Sequence, residues 1–203
     1  MTTLALIRHA PATSTGRTLS GRQPGHSLSA EGRALAEGLA NRLRRVRLVA
    51  IYASPLERTK ETAEAIARHQ SVGVRLHEGL LEVDYGDWTG RTFKSLSRLK
   101  RWRHVIATPS RAAFPNGESL AGLQARVVAA CEEISGRHRR GTVAVVTHAD
   151  AIKAAVSHYL GQPLDLFNRL VIAPASVSVL DVPADGMPRL IALNTSGEPH
   201  LWK

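Results

Sequence analysis

Thr142-Val143-Ala144-Val145-Val146-Thr147-His148 is the stretch on which the fold turns. The residues before the histidine carry no charge and are rich in β-branched side chains. The run is too short for a buried helix and suits a strand covered on both faces. Two other runs are built the same way: Thr2 to Ile7 (TTLALI) leads into Arg8-His9, and Leu48 to Ala53 (LVAIYA) leads into Ser54-Pro55. Val74 to His77, Val177 to Val182 and Leu190 to Asn194 are shorter strand candidates.

Helical patterns fill the gaps. Ser29 reads as the cap of a helix to about Arg45, with Ala30, Ala34, Leu35, Leu39 and Leu43 at helical spacing. Ser54, Pro55 and Glu57 read as an N-cap, a Pro at N1 and a capping-box acid, opening a helix to about His69. Further helices are expected from about Glu118 to His138 and from Asp150 to Leu160, the latter closed by Gly161. Asp84 to Gly117 is irregular apart from an amphipathic piece near Phe93 to Ile106. Strands alternating with helices imply an α/β three-layer sandwich. Its central sheet is mostly parallel and flanked by helices, and a small helical lid insertion spans about residues 84–117. No linker or repeat divides the chain, so 1–203 reads as one domain.

Composition narrows the classes. The chain has 203 residues, one cysteine (Cys131) and no apolar run approaching a membrane span. A disulfide framework is excluded, and Cys131 reads as buried filler. Met1 to Ile7 has no basic region before its apolar run and reads as a strand rather than a signal peptide, so a cytoplasmic location is expected. Lys and Arg total 27 against 17 Asp and Glu, a net charge of +10, and only five of the cations are lysine. Such a field favours anions.

In open α/β sheets ligands bind beyond the carboxyl ends of strands. Those ends carry Arg8-His9 and His148, and the helix after LVAIYA carries Arg58 in its first turn. Any one of these is ordinary as a loop or surface residue. Four together, with helix N-termini at the same edge, describe a phosphate pocket. A metal site fits less well, because Arg8 would repel a divalent cation and Asp150 is the nearest acid.

The motifs resemble the histidine phosphatase superfamily, the phosphoglycerate-mutase-like proteins. Leu6-Ile7-Arg8-His9 is similar to its RH motif, and Leu28-Ser29-Ala30-Glu31-Gly32 to a second. Ala53 to Ala63, Leu81-Glu82 with Gly86-Asp87-Trp88-Thr89-Gly90, Pro115-Asn116-Gly117-Glu118-Ser119 and Val146-Thr147-His148 follow in the family's order. The resemblance implies that His9 is the nucleophile and that Arg8, Arg58 and His148 hold the phosphoryl oxygens. It implies that Glu82 is the acid and base, with Asp84 and Asp87 as nearby alternatives. Arg22 and Gln23 become further phosphate contacts. The family's R-H-G-E-T reads here Arg8-His9-Ala10-Pro11-Ala12, and Thr13, Ser14 and Thr15 stand where a phosphate-binding asparagine is common.

The implied activity is a metal-independent phosphomonoesterase acting on a small phosphate ester through a phosphohistidine, with no cofactor. The alternatives are phosphoglycerate mutase-type transfer and, outside enzymes, a non-catalytic binder of phospho-ligands or nucleic acid. Nucleic acid is disfavoured by an aromatic content of 4%. Lys94, Arg98, Lys100, Arg101, Arg103 and Arg111 lie in an acid-free stretch of the insertion. They suggest a lid that selects a second anionic group. Leu164 to Ile172 and the late strands offer an edge for a homodimer.

Overall fold

The computed structural model describes residues 1–197. Six strands form one sheet: β1 (Thr2–Arg8), β2 (Leu48–Ala53), β3 (Val74–Leu76), β4 (Gly141–Thr147), β5 (Val177–Val182) and β6 (Arg189–Thr195). Their order is β3-β2-β4-β1-β5-β6. The first four are parallel; β5 and β6 add an antiparallel flank. Helices α1 (Ala30–Leu43) and α2 (Glu57–Ala67) cover one face, α5 (Leu120–Arg137) and α6 (Ala149–Tyr159) the other. Between them the insertion carries two short helices, α3 (Phe93–Leu96) and α4 (Lys100–Ala107). The α/β three-layer sandwich read from the sequence is therefore the fold.

Period-two alternation explains why the strands are apolar throughout. Leu4, Leu6, Tyr52, Val143 and Val145 join the core beneath α5 and α6. Their neighbours Ala5, Ile7, Ile51, Ala53, Ala144 and Val146 join the core beneath α1 and α2. Both faces are dry, so the middles of β1, β2 and β4 are apolar on both sides, while β5 buries Ser178 and Asp181 with hydrogen-bond partners in Asn194 and Thr3.

The start of α2 differs from expectation. Ser54 does not cap it: the helix begins at Glu57, after Leu56, with no side-chain cap. The Ser54 N–H is held in the sheet by the Val146 carbonyl (3.0 Å), and its hydroxyl faces His148. The amphipathic piece of the insertion is also two helices rather than one, broken between Leu96 and Lys100. The reading of Leu164 to Ile172 as an association edge meets competition from the core, which takes in Phe167 and Ile172.

Two glycines of α1 separate close approach from conformational cost. A β-carbon on Gly32 would fall 1.9 Å from the Pro11 carbonyl oxygen, whereas one on Gly38 would meet nothing. Gly32→Ala is expected to destabilise by at least about 1–3 kcal/mol through overpacking against backbone. Gly38→Ala should stabilise by about 0.5–1 kcal/mol, because alanine is the better helix former. Urea denaturation of both variants checks the opposite signs.

Candidate active site

Three neighbouring strand ends build the floor of the site. Parallel pairing sets Arg8 opposite Thr147 and Ala53 opposite Val146, so Ser54, His148 and His9 emerge side by side. The His9 N–H donates to the Thr147 carbonyl (3.0 Å), which locks the two histidines in register. Their rings meet edge to face, with centroids 5.2 Å apart. Arg58 comes from the first turn of α2, is buried, and donates to the Gly21 carbonyl at 2.6 Å. Arg8 donates to the Ile172 carbonyl. Glu82 arrives on the loop after β3, also buried, and one of its oxygens accepts the Val83 N–H (3.1 Å). Arg8, His9, Arg58 and Glu82 line one cavity of about 480 Å³. That volume is in the range of pockets that enclose a small organic ligand (roughly 300–1,000 Å³).

Hydrogen bonds fix the imidazole tautomers. The His9 Nδ1 faces the Ala10 carbonyl at 2.7 Å; a carbonyl only accepts, so Nδ1 carries the hydrogen and Nε2 keeps its lone pair. Burial, reinforced by the Arg58 charge, pushes the His9 pKa down to about 3. His9 is thus a neutral ring with a free nitrogen at ordinary pH. His148 is also fully buried, and burial followed by the Arg58 charge holds it well below the usual histidine range. Its Nε2 lies 2.8 Å from the Ser54 Oγ. The Ser54 hydroxyl has no other acceptor among the described residues, so it donates to Nε2 and leaves the hydrogen of neutral His148 on Nδ1.

Six buried side-chain polar atoms have no protein partner among the described residues, and three of them belong to site residues: Arg8 Nε and Arg58 Nη1 on side chains that line the cavity, and His148 Nδ1 on the ring beside His9, which does not itself line it. All three are donors. Each costs about 1–3 kcal/mol when left unpaired, and clustered donors of this kind mark a place for an anion. Glu82 has the opposite bias. Burial, then the neighbouring Asp150, raises its pKa to about 7. Tyr85 donates to one Asp150 oxygen (2.8 Å) and Lys153 pairs with the other (3.1 Å).

Not every residue picked from the sequence comes to the cavity. Arg22 does not line it. Its guanidinium pairs with Glu118 (3.0 Å) and donates to the Glu82 carbonyl (2.9 Å), so it braces the segment that carries Glu82. Gln23 turns away toward His26, 3.3 Å from its ring. Asp84 is spent on the Gly86 N–H and Asp87 on the Asn116 amide. Of the hydroxyl run, Ser14 and Thr15 line the cavity, with Thr15 also accepting the Ala12 N–H. The six cations of the insertion are all exposed and none lines the cavity, to which the same segment contributes Phe93, Trp102, Val105 and Ile106; Arg101 donates instead to the Ala113 carbonyl (3.2 Å).

Sequence reasoning missed Ser54's link to His148 and the brace around Glu82. Arg126 forks onto both Glu118 oxygens (2.9 Å each) and donates to the Gly79 and Leu81 carbonyls (2.9 and 3.0 Å). Gly86 and Gly117 then let two backbones touch: a β-carbon on Gly117 would sit 2.4 Å from the Asp84 oxygen, and one on Gly86 2.0 Å from the Pro115 oxygen. The matched motifs around Glu82 and Glu118 are thus two halves of one scaffold.

Paired strand-end histidines, two guanidiniums with unpaired nitrogens and a carboxyl that keeps its proton to near neutrality make up a phosphatase site. The chain belongs to the histidine phosphatase superfamily, branch 1, whose family model matches residues 4–196. It is 34% identical over 187 residues to phosphoserine phosphatase 1 of Hydrogenobacter thermophilus, covering 89% of this chain and 86% of the relative. It is 30% identical over 178 residues to the probable phosphoglycerate mutase GpmB of an Enterobacter species, covering 87% and 83%. The solved structure of Bacillus stearothermophilus YhfR superposes with a TM-score of 0.91 at 29% identity, covering 98% of this chain and 99% of that one.

Two substitutions test the division of labour. Arg22→Met should lower stability by about 1–3 kcal/mol and reduce kcat, because it unties Glu82 and leaves Glu118 short of a partner. KM for a phosphate ester should move less than about twofold; a clear rise in KM would return Arg22 to the phosphate contacts. Ser54→Ala should cut kcat/KM by about tenfold or more, the rate equivalent of ~1.4 kcal/mol, by freeing the tautomer of His148. An unchanged kcat/KM would show that the Ser54 contact is structural only.

Proposed function

We propose that the chain is a metal-independent phosphomonoesterase in which His9 carries the phosphoryl group between substrate and water. The cluster of unpaired buried donors around His9 is the observation that carries this reading. The His9 Nε2 lone pair attacks phosphorus in line and the ester P–O bond breaks. Arg8 Nε, Arg58 Nη1 and His148 Nδ1 donate to the phosphoryl oxygens, whose charge these fixed donors stabilise without reorganisation. Glu82 gives its proton to the leaving oxygen. In the second step the Glu82 carboxylate takes a proton from water, water attacks the phosphohistidine, and phosphate and neutral His9 are restored.

Phosphate hydrolysis is favoured over mutase-type transfer by the charges on the cavity wall. A mutase must hold a second anionic group while its substrate turns. The lining cations are Arg8, Arg58 and Lys153, and Lys153 is paired to Asp150. We further propose that residues 1–203 form a single domain whose insertion, about 84–117, roofs the cavity; 198–203 lie outside the described residues. A cytoplasmic location belongs to this reading, as does a small phosphate ester as partner. Among the described residues no helix is long and apolar enough to cross a membrane. The homodimer expected from the sequence is retained as a proposal along the open edge of β6, and the chemistry does not need it.

The test combines chelation, mutation and pH. Hydrolysis of p-nitrophenyl phosphate should persist with a chelator present and fall at least about a thousandfold in His9→Ala. Intact-protein mass under alkaline quench should show one phosphoryl group on the wild type only. With an alkyl ester, whose leaving oxygen needs a proton, kcat should be level from about pH 4 to pH 6 and fall above pH 7 as Glu82 ionises. Glu82→Gln should remove that alkaline limb and cost about 10²–10⁴-fold with the alkyl ester, less with p-nitrophenyl phosphate. Activity that survives in His9→Ala overturns the nucleophile; an alkaline limb that survives in Glu82→Gln overturns the acid.

A further inference from the structure

We infer that the ester this site takes carries an apolar organic body, aromatic or extended alkyl, and no second anionic group. The inference rests on the phosphatase reading and concerns what lies beyond the phosphoryl group. Above its charged floor the cavity is lined by a group of large apolar side chains, alongside Ser14, Thr15, Thr18, Ser20 and Asn168. Phe93, Trp102 and Ile106 from the insertion face Phe114, Phe167 and Val171. Three of these are exposed although large and apolar: Phe93 at 42%, Ile106 at 47% and Val171 at 71% of full accessibility. Water-facing apolar side chains in one ring around a charged floor are what a ligand with an apolar body would cover.

The charges exclude the other kind of substrate. A carboxylate or second phosphate is held best by a cation, and among the described residues the lining beyond Arg8 and Arg58 offers Lys153. That ammonium is 3.1 Å from Asp150 and stands over the Phe167 ring at 5.0 Å. Recruiting it for a ligand would leave Asp150 with a single donor, Tyr85, beside the ionisable Glu82. The six cations of Lys94 to Arg111, which the sequence suggested as anion selectors, are all exposed and none lines the cavity. The insertion therefore brings apolar side chains to the cavity and leaves its cations outside the lining.

A matched ester series decides it. The probes are ethyl, butyl and hexyl phosphate, 1-naphthyl phosphate, phosphoserine and 3-phosphoglycerate, each with the native chain and His9→Ala. The expected result is a kcat/KM that rises by up to about fourfold per added methylene, the rate equivalent of ~0.8 kcal/mol each. Hexyl and naphthyl phosphate should exceed both anionic esters by at least about tenfold. Phe93→Ser with Val171→Ser, both exposed positions, should flatten the chain-length dependence through KM. Charge reversal at Arg101 and Arg103 should leave the naphthyl rate within about twofold. Preference for phosphoserine or 3-phosphoglycerate, or a steep loss on those esters after the charge reversal, overturns the inference and leaves the phosphatase intact. Hydrolysis of none of the esters, or equal hydrolysis by His9→Ala, overturns the phosphatase reading and this inference with it.

Discussion

The register of three parallel strands is the constraint on which the site depends. Strands β2, β4 and β1 are neighbours, and their hydrogen bonds continue one residue past the apolar runs, through Ser54 and His9. That extra rung converts a sheet edge into a row of Ser54, His148 and His9. A slip of one residue in any pairing would turn these side chains into the dry cores and bring alanine or valine to the edge. The apolar character of the strands therefore fixes the chemistry as well as the fold, because it makes the wrong registers expensive.

The row is useful because everything around it is arranged to be electrically incomplete. Arg58 is buried and Arg8 partly so, and their removal from water weakens their hold on the proton, yet a guanidinium stays charged. Each has one backbone carbonyl and at least one unpaired nitrogen. Burial first and those charges second keep the histidines neutral, while burial and Asp150 keep Glu82 protonated to near neutrality. The stability lost at the floor is offset nearby. Glu118, Arg126 and Arg22 form a nearly satisfied ionic cluster that takes up the carbonyls of Gly79, Leu81 and Glu82.

Much of this was legible in the residues. Continuous apolar runs ending in histidine identified the strands and the sheet edge, and the motif order carried the family. What stayed hidden depended on distances across the chain. Ser54-Pro55 with Glu57 satisfies the local rule for a helix start, but the sheet claims the Ser54 backbone and His148 claims its hydroxyl, so tertiary pairing overrides capping. Arg22 sits in a Gly- and Ser-rich loop beside the site and reads as a phosphate ligand until Glu118, 96 residues away, is seen to hold it. The six insertion cations are a third case: composition gives the charge of a segment, and only the structure shows that none of the six lines the cavity.

The two glycine backbones at Gly86 and Gly117 have a consequence for how such a protein changes over time. They close the neck of the insertion, whose further ties run to Leu19 through Gly90 and Arg91 and to Asp165 and Asn168 through Ser110 and Ile106, and none of these contacts is made by Arg8, His9, Arg58 or His148. Residues of that insertion can be exchanged, lengthened or repolarised without disturbing the strand ends beneath. The architecture separates reactivity from selectivity into parts that drift independently, so a lineage can acquire new substrates while the bond-breaking step is inherited unchanged.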